Sequence, residues 1–500
     1  MTDYISKSTV ISADQAKSLP VPDLADHEVE TVRGLVAVWA SCLSGNARRS
    51  LYYDTEQVFQ DLGIALPPQL KAAEFTLGWG AKAVRIPASR TVFEGIRVPG
   101  STDALGIQQV FDQAQMDVLV SQSVTSAYTH GMSLVTVARG GPGEPDVQIY
   151  GHAAENCAAL WDRRRRRLAS AMTVTRMGKT RPDEMIVYTP EAVITLRWID
   201  GAYRVIDYRL VRIGQVMAVP FVSNPQLRKP LGQSRITRPV RTIIDTSTRS
   251  YVRMEGNAEF YSTPQLALLG VAEEAFESAT DVEKFRLAMD RILALTRDEE
   301  GDLPTLTQLT QASMSPHTEM IRTMAAAFAS ETSIPLSSMG VVSDQPASAE
   351  AIRAAEHELL IEVTQANRGF ARTVEDIGRL ALLVRDGLSQ VPDEAWQMSA
   401  RFLDPEFRSM SAQADAVQKL GSSMDKLVQY PVLLEKVFGP DDVERILVDH
   451  RRSQGMDMMR RLLDADGDTG GAPAQALAEG GESQPPESGA TDRSDSVADE

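Results

Sequence analysis

Residues Phe328–Leu360 read FASETSIPLSSMGVVSDQPASAEAIRAAEHELL, a helical pattern, a loop and the start of a second helix. The loop, Ser333–Ala347, contains Pro335, Gly340 and Pro346 and is longer than the about 2–8 residues that usually connect helices. Most of its residues are small or apolar, and it contains no lysine or arginine. This composition predicts a functional loop; the alternative is a loop that only covers the neighbouring core.

The second helix of this stretch has the strongest helical pattern in the chain. Ser348 is a good N-cap residue, and Glu350 follows in the first turn. Apolar residues then recur every three or four positions as far as Val384. A helix over Ser348–Arg385 would be about 55 Å long, which indicates an extended architecture. Gly369, near its middle, is a candidate kink.

The chain before this stretch changes from helical to strand patterns. Helices are predicted at Val29–Ser44, 51–64, Gln69–Trp79 and Ile107–Tyr128. A strand is predicted at Ser133–Ala138, and short alternating runs then predict the strands of an antiparallel sheet. These runs are Asp146–Gly151, Ala158–Trp161, Ala169–Arg176, Met185–Tyr188, Ala192–Trp198, Tyr203–Leu210 and Gln215–Val219. Pro220–Pro230 is predicted to be a loop.

The remaining pattern is again mainly helical, so the predicted class is α+β, mostly helical. Helices are predicted at Arg238–Tyr261, Val282–Leu295, His317–Thr332, Ser411–Leu420, Met424–Phe438 and Pro440–Leu463, with a strand at Trp396–Asp404. The tail, 464–500, contains ten acidic residues, one arginine and no aromatic residue. Such a segment has too little apolar surface to offset its ordering entropy, so we expect it to be disordered.

Composition excludes several classes of protein. The chain has 500 residues, enough for about three domains, and 43% of them are hydrophobic. No apolar run approaches the roughly 18 residues of a membrane span, and no signal-peptide pattern opens the chain. Cys42 and Cys157 are too few for a disulfide framework or a four-cysteine zinc site. We predict two buried thiols in a reducing cytosol.

Charge limits the ways in which this protein can meet nucleic acid. The formal net charge is −17, and the last 37 residues contribute −9 of it. A protein with this balance repels phosphate over most of its surface. Any contact with DNA is therefore expected to be local or weak.

Motif searches favour no catalytic, cofactor or metal site. Gly178-Lys179-Thr180 resembles the end of a phosphate-binding loop, but Thr173 occupies the position of its first glycine. The calcium-like run at Asp464 lacks the required glycine and glutamate. The histidines form no metal-binding pair, and no serine or cysteine has a nucleophile signature. We therefore predict no enzyme activity, no cofactor and no metal.

One strongly basic run interrupts the strand region. Arg163–Arg167 directly follows Trp161-Asp162. We interpret it as the solvated tip of a hairpin. The alternative is a phosphate-binding patch.

The order of these segments resembles the portal proteins of long-tailed double-stranded DNA bacteriophages. Similar motifs are the Ser-Ile-Pro turn at Ser333, Gln345-Pro346, and Ser-Ala-Glu-Ala-Ile at the start of the long helix. VPFVSN from Val219 and the helix and strand of Met116–Val137 also agree. The arginine run replaces the family's usual Asp-Pro turn. The resemblance covers about residues 30–462.

The resemblance implies a portal-like subunit in a ring of twelve at one capsid vertex. It divides the chain into an N-terminal wing (1–233), a stem helix (234–262), a clip (263–316), a second stem helix (317–332) and a tunnel loop (333–347). A long wing helix with a return strand (348–411), crown helices (412–463) and the acidic tail (464–500) follow.

The implied function is a channel through which double-stranded DNA is packaged and ejected, located in the virion after synthesis in the host bacterial cytoplasm. The implied partners are other copies of the chain, DNA, the terminase packaging motor, a head–tail adaptor and the major capsid protein, with no membrane. The implied channel residues are Ser338, Met339, Gly340, Val341, Val342, Ser343, Asp344 and Gln345. The implied clip docking residues are Arg297, Asp298, Glu299, Glu300 and Asp302. One alternative is another vertex or head–tail adaptor protein without a channel role, and another is an unrecognised hydrolase.

Overall fold

A computed structural model describes residues 10–57, 75–98, 104–262, 266–269, 305–308, 313–340 and 349–406, with isolated helical positions between 418 and 459. The chain forms two units, Met1–Glu406 and Phe407–Glu500. The first combines helices and strands, which confirms the α+β class. The predicted helix Val282–Leu295, the crown helices and the acidic tail lie outside the residues described in continuous segments.

The N-terminal region contains a short helix and a long one. Helix α1, Ala13–Ala16, is capped by the Ser12 hydroxyl, which accepts from the Gln15 amide. Helix α2, Asp26–Asp54, is longer at both ends than predicted and ends at Thr55, whose φ is +60°. The apolar stripe of α2 is buried. This packing extends the helix through the flanking polar residues, which obscure the helical pattern in the sequence.

Helix α3, Trp79–Ser89, corrects the prediction of a helix over Gln69–Trp79, because residues 75–78 are not helical. Burial explains where α3 lies. Trp79, Ala83, Val84 and Pro87 share one face and are buried. That face packs in the core, where the rings of Trp79 and Phe328 lie 5.3 Å apart.

The helix predicted over Ile107–Tyr128 is two helices, α4 (Ile107–Gln113) and α5 (Met116–His130). The break is at Gln115, whose φ of +50° is left-handed and cannot continue an α-helix. The resulting turn buries both Phe111 and Met116. Tertiary burial therefore outweighs the continuous apolar periodicity.

The strand region forms two antiparallel sheets, where one was predicted. A three-stranded sheet has the order β3-β2-β9, and a five-stranded meander has the order β4-β5-β6-β7-β8. The strands are β2 (Met132–Arg139), β3 (Val147–His152), β4 (Cys157–Asp162), β5 (Arg167–Met177), β6 (Pro182–Tyr188), β7 (Ala192–Ile199), β8 (Ala202–Leu210) and β9 (Ala218–Val222). The separation arises because β9 pairs with β2, with Leu134 opposite Pro220.

Strand β9 also corrects the loop predicted over Pro220–Pro230. Pro220 has no N–H to donate, and β9 lies at a sheet edge, where a proline is tolerated. The strand runs to Val222 before the loop begins.

The second half of the unit is built on three helices. Helices α6 (Arg238–Ser262) and α7 (Ser315–Thr332) agree with the predicted pair, and two strands, β10 (Leu266–Leu269) and β11 (Thr305–Gln308), pair antiparallel between them in sequence. Helix α8, Ala349–Asp386, confirms the long helix and continues through Gly369.

The chain returns from α8 to pair with a distant strand. The strand predicted over Trp396–Asp404 is a 3-10 turn, Asp393–Gln397, followed by β12, Ser399–Phe402. Strand β12 pairs antiparallel with β1, Phe93–Arg97. The first and last residues of β12 therefore depend on pairing with a strand about 300 residues earlier in the chain.

Two apolar clusters hold the first unit together. One packs α2 against the five-stranded sheet, with Trp39 and Met185 buried. The larger one joins α3, α5, α7 and α8 to the three-stranded sheet. At its centre the ring of Phe370 lies 5.8 Å from that of Tyr128 and 5.8 Å from that of Phe221.

Candidate functional site

The candidate site is the junction where α6, α7, the following loop and α8 meet. Arg235, just before α6, lies at its centre with an 8% exposed side chain. Its Nε donates to the Ala83 carbonyl (2.7 Å) and its Nη2 to the Thr332 carbonyl (2.6 Å). Its Nη1 pairs with the Glu362 carboxylate on α8. One side chain thus ties α3, the end of α7 and α8 to the start of α6.

The backbone before Arg235 is shaped for this position. Gly232 has a φ of +80°, and a Cβ there would collide with the Ser223 and Gly131 carbonyl oxygens. The Ser234 hydroxyl donates to the Thr129 carbonyl (2.5 Å) and accepts from the Ile236 amide (2.9 Å). The tight turn therefore places the Arg235 side chain in the core.

Helices α6 and α7 pack antiparallel above the junction. The Ser250 hydroxyl lies 3.3 Å from the Met320 sulfur, and the Asn257 amide nitrogen lies 2.6 Å from Nε2 of His317. Buried hydroxyls on α6, such as those of Ser247 and Thr248, donate to the carbonyl four residues earlier. These bonds satisfy the polar side chains within the helix, so a Thr- and Ser-rich sequence can be buried there.

Helix α6 is also fixed to α2 by a half-buried pair. The Tyr52 hydroxyl donates to the Asp245 carboxylate, with distances of 2.7 and 2.9 Å to its two oxygens. Burial raises the pKa of Asp245, and the bond from Tyr52 opposes that rise. Burial and the same hydrogen bond raise the pKa of Tyr52. The hydrogen bond from Tyr52 to Asp245 therefore links α2 to α6.

The first part of the predicted loop, up to Gly340, is anchored to the core. Ile334 is buried, and a 3-10 turn, Leu336–Met339, follows Pro335. Lys82 on α3 donates to the Ser338 carbonyl (2.8 Å). Gly340 ends the turn in a left-handed conformation, with a φ of +79°.

The structure places only some of the predicted site residues. Ser338 is half-buried, Met339 is buried in the core, and Gly340 is exposed. The other channel residues, 341–345, lie outside the described residues. So do the predicted clip residues, 297–300 and 302.

Sequence reasoning missed the roles of Arg235 and Lys82. Neither belongs to a motif with a chemical signature, because their partners lie about 90–260 residues away. The nearest local signal is Gly232-Gln-Ser before Arg235, which indicates a turn into a helix but not what the arginine contacts.

The arginine run forms a hairpin tip, as predicted. Residues Arg163–Arg166 form the turn between β4 and β5, and all of them are exposed. Oδ1 of Asp162 accepts from the amides of Arg164 (2.8 Å) and Arg165 (3.1 Å). Residues 178–181 likewise form an ordinary turn between β5 and β6.

The two thiols differ, which corrects the prediction that both are buried. Cys42 is exposed on α2, and Cys157 is buried on β4. Burial raises the pKa of the Cys157 thiol to about 12. The general tendency of free cysteines to be buried does not hold at Cys42, because the residue lies outside the buried stripe of α2.

Within the described segments, no group of three or more His, Cys, Asp and Glu side chains is arranged to hold a metal ion. Among the same residues, none of the helices has both the length and the apolar character needed to span a bilayer.

Similarity to known proteins covers most of the chain. A family model described as phage portal protein, SPP1 Gp6-like, matches residues 48–456. The portal protein of Mycobacterium phage L5 is 25% identical over 475 residues, covering 91% of this chain and 96% of that protein. The portal protein of Mycobacterium phage D29 is 27% identical over 450 residues, covering 84% and 89%.

Two solved assemblies show a weaker likeness. A chain from the neck of an empty GTA particle computed with C6 symmetry is 11% identical, with a TM-score of 0.41 and coverage of 70% of this chain and 86% of that chain. A chain from the neck of a native GTA particle computed with C12 symmetry is 13% identical, with a TM-score of 0.38 and coverage of 75% and 94%. These scores are too low to support an argument about this chain.

Proposed function

The chain belongs to the SPP1 Gp6-like phage portal family, and from that membership we propose that it forms a ring of twelve copies around a channel for double-stranded DNA. The ring would occupy one vertex of the capsid, after synthesis in the host cytoplasm. The observation that carries the proposal is the family match over residues 48–456, which spans the whole helix–strand pair–helix–loop–helix order of α6 to α8.

Each segment then receives a role. We assign α6 and α7 to the stem, 263–316 to the clip, α8 and residues 1–233 to the wing, and 412–463 to the crown. The clip, with Arg297–Glu300 and Asp302, would meet the terminase motor and later the head–tail adaptor. The wing would meet the major capsid protein.

The channel surface would begin at Gly340. Met339 is buried in its own subunit, so we assign it an anchoring role together with the Ser338 carbonyl that Lys82 holds. Val341–Gln345 would then face DNA. This segment contains no cation, and Asp344 would repel phosphate, so DNA would slide past without being held.

The packaging energy would come from a separate ATPase. The sequence contains no complete phosphate-binding loop, since Thr173 stands at the first glycine position of the one partial match. We therefore propose a structural conduit with no chemistry of its own.

Electron microscopy of the purified protein and a packaging assay with Asp344→Lys test this proposal together. The wild-type protein should form rings with a central hole of DNA width. The variant should assemble normally but package or retain less DNA, because a ring of lysines would bind phosphates in transit. The charge-matched control Asp146→Lys, at an exposed position before β3, should behave as wild type. Unchanged packaging by Asp344→Lys would contradict the channel assignment.

A further inference from the structure

A groove of about 890 Å³ lies on the first unit, away from the helix junction. The β4–β5 turn, the loop after β9, the middle of α8 and the segment before β12 form its walls. The hairpin turn contributes Arg163, Arg166 and Arg167, and α8 contributes Arg372. The structure therefore brings a fourth arginine, 205 residues away in sequence from Arg167, to the same groove as the arginine run.

These four guanidinium groups have no carboxylate partner among the described residues. Arg163, Arg166 and Arg167 are exposed, and so is Arg372. Two other arginines nearby are neutralised. Arg165 pairs with Asp162 (3.8 Å), and Arg379 pairs with Asp376 (2.7 Å) and Glu375 (3.4 Å).

The acidic side chain in the groove does not cancel these charges. Asp376 also lines the groove, but it is paired with Arg379, whose guanidinium lies 5.0 Å from the centre of the Trp396 ring. The groove thus carries an excess of positive charge on a chain whose net charge is −17. Salt limits that field to about 8 Å, so only a ligand in direct contact would feel it.

The turn itself holds these arginines in place without using their side chains. Asp162 caps the turn through the amides of Arg164 and Arg165, and Arg166 closes it with a φ of +54°. The guanidinium groups of Arg163 and Arg166 remain available. Planar guanidinium groups match the geometry of phosphate oxygens and bind them in pairs.

We propose that this groove binds the phosphate backbone of double-stranded DNA on the outside of the subunit. This contact goes beyond the channel function and does not depend on it, because the groove is separate from Gly340 and the loop that follows. An isolated basic groove on an acidic protein holds DNA locally while the rest of the surface repels it.

Binding of a closed circular duplex to the full-length protein tests the proposal. A closed circle cannot thread a ring, so its binding reports on outer surfaces and remains measurable even if the channel proposal fails. Four phosphate contacts predict that log K falls with log salt with a slope of about −3.6. The triple variant Arg163→Gln, Arg166→Gln, Arg372→Gln should reduce that slope by about 2.7, so the loss of affinity should be largest at the lowest salt concentration.

A matched triple provides the control. Arg164→Gln, Arg165→Gln and Arg368→Gln remove the same charge from the same turn and the same helix, but these residues do not line the groove. They should lower the slope by less than about 1. Arg372→Gln alone, at an exposed helix position where glutamine is tolerated, should lower the slope by about 0.9 without affecting folding.

Three outcomes would overturn the proposal. Two of them are the absence of binding between the wild-type protein and the circle at 50 mM salt, and equal changes in slope from the two triple variants. A poly-glutamate peptide that binds in the groove while the circle does not would instead identify it as a docking site for an acidic protein.

Discussion

The helix junction and the hairpin groove use the same residue type in opposite ways. Arg235 is buried, and each of its three guanidinium nitrogens has a partner. Arg163, Arg166 and Arg372 are exposed and have no ion-pair partner in the described part of the chain. A buried cation must be satisfied within the protein, whereas an exposed one is solvated by water until a ligand displaces it. The difference separates an arginine that specifies the fold from arginines available for binding.

The largest effect is expected at the junction. Arg235→Gln leaves the buried Ala83 and Thr332 carbonyls without their donor and separates Glu362 from its partner. Leaving a buried carbonyl without its donor costs about 1–3 kcal/mol of unfolding free energy for each carbonyl. Urea denaturation followed by tryptophan fluorescence measures it, because all five tryptophans precede residue 407 and report on the first unit. The exposed pair of Arg204 and Asp23 is the control, and Arg204→Gln should cost about 0–1 kcal/mol. Equal losses would remove the distinction between the regions.

Acid is expected to weaken the region around Arg49, which is partly buried. His130 is partly buried near Arg49 with its Nδ1 atom inaccessible to water, and desolvation together with the charge of Arg49 lowers its pKa from 6.5 to about 3. Below pH 6.5, therefore, His130 binds a proton in the unfolded chain but stays neutral in the folded chain. Stability is fully present above pH 6.5 and is lost as the pH falls towards 3, by up to about 1.4 kcal/mol per pH unit.

The same denaturation measured between pH 7 and pH 4.5 checks this expectation. His152, whose pKa burial lowers to about 4, acts in the same direction. His130→Gln should therefore reduce the pH dependence without abolishing it. A dependence unaltered by His130→Gln would show that this histidine is not the partly buried neutral group described here.

A smaller effect is expected where α2 meets α6. Tyr52→Phe removes the hydroxyl that donates to the Asp245 carboxylate. Arg241 and Arg249 still interact with that carboxylate in the variant. The expected cost is about 1 kcal/mol. Tyr208→Phe is the matched control, since its hydroxyl makes an exposed bond to Glu28 (2.9 Å) and should contribute little. A larger loss at Tyr208 would contradict the role of burial.

The smallest effect is expected in the groove. The triple variant of Arg163, Arg166 and Arg372 should change the free energy of unfolding by less than about 0.5 kcal/mol, because these side chains make no ion pair within the described residues. Thermal and urea denaturation measure this directly. A loss above about 2 kcal/mol would mean that these arginines support the fold, and the comparison with Arg235 would fail.

Local patterns predicted much of the element order. The apolar periodicity located α8 to within one residue at each end, and alternation located every strand from β2 to β8. It failed where a distant partner decides the outcome. The break at Gln115 depends on burial of both flanking helices, and the end of β9 depends on pairing with β2. Periodicity compares residues a few positions apart and carries no information on such partners.

The candidate site shows the same division. Prolines, glycines and small residues located the start of the loop at Ser333, and its predicted length favoured a functional role, which stays a prediction. That Met339 would be buried, and that Lys82 would hold the Ser338 carbonyl, had no local signature.

The sequence by itself determined most of the helices and strands, the acidic charge balance, the start of the loop and the arginine run, because each follows from neighbouring residues. Only the tertiary structure decided which arginines are satisfied and which are not. Arg235 and Arg166 are the same residue with the same intrinsic chemistry. Their difference arises from carbonyl and carboxylate groups that folding brings from distant parts of the chain to Arg235 and leaves away from Arg166.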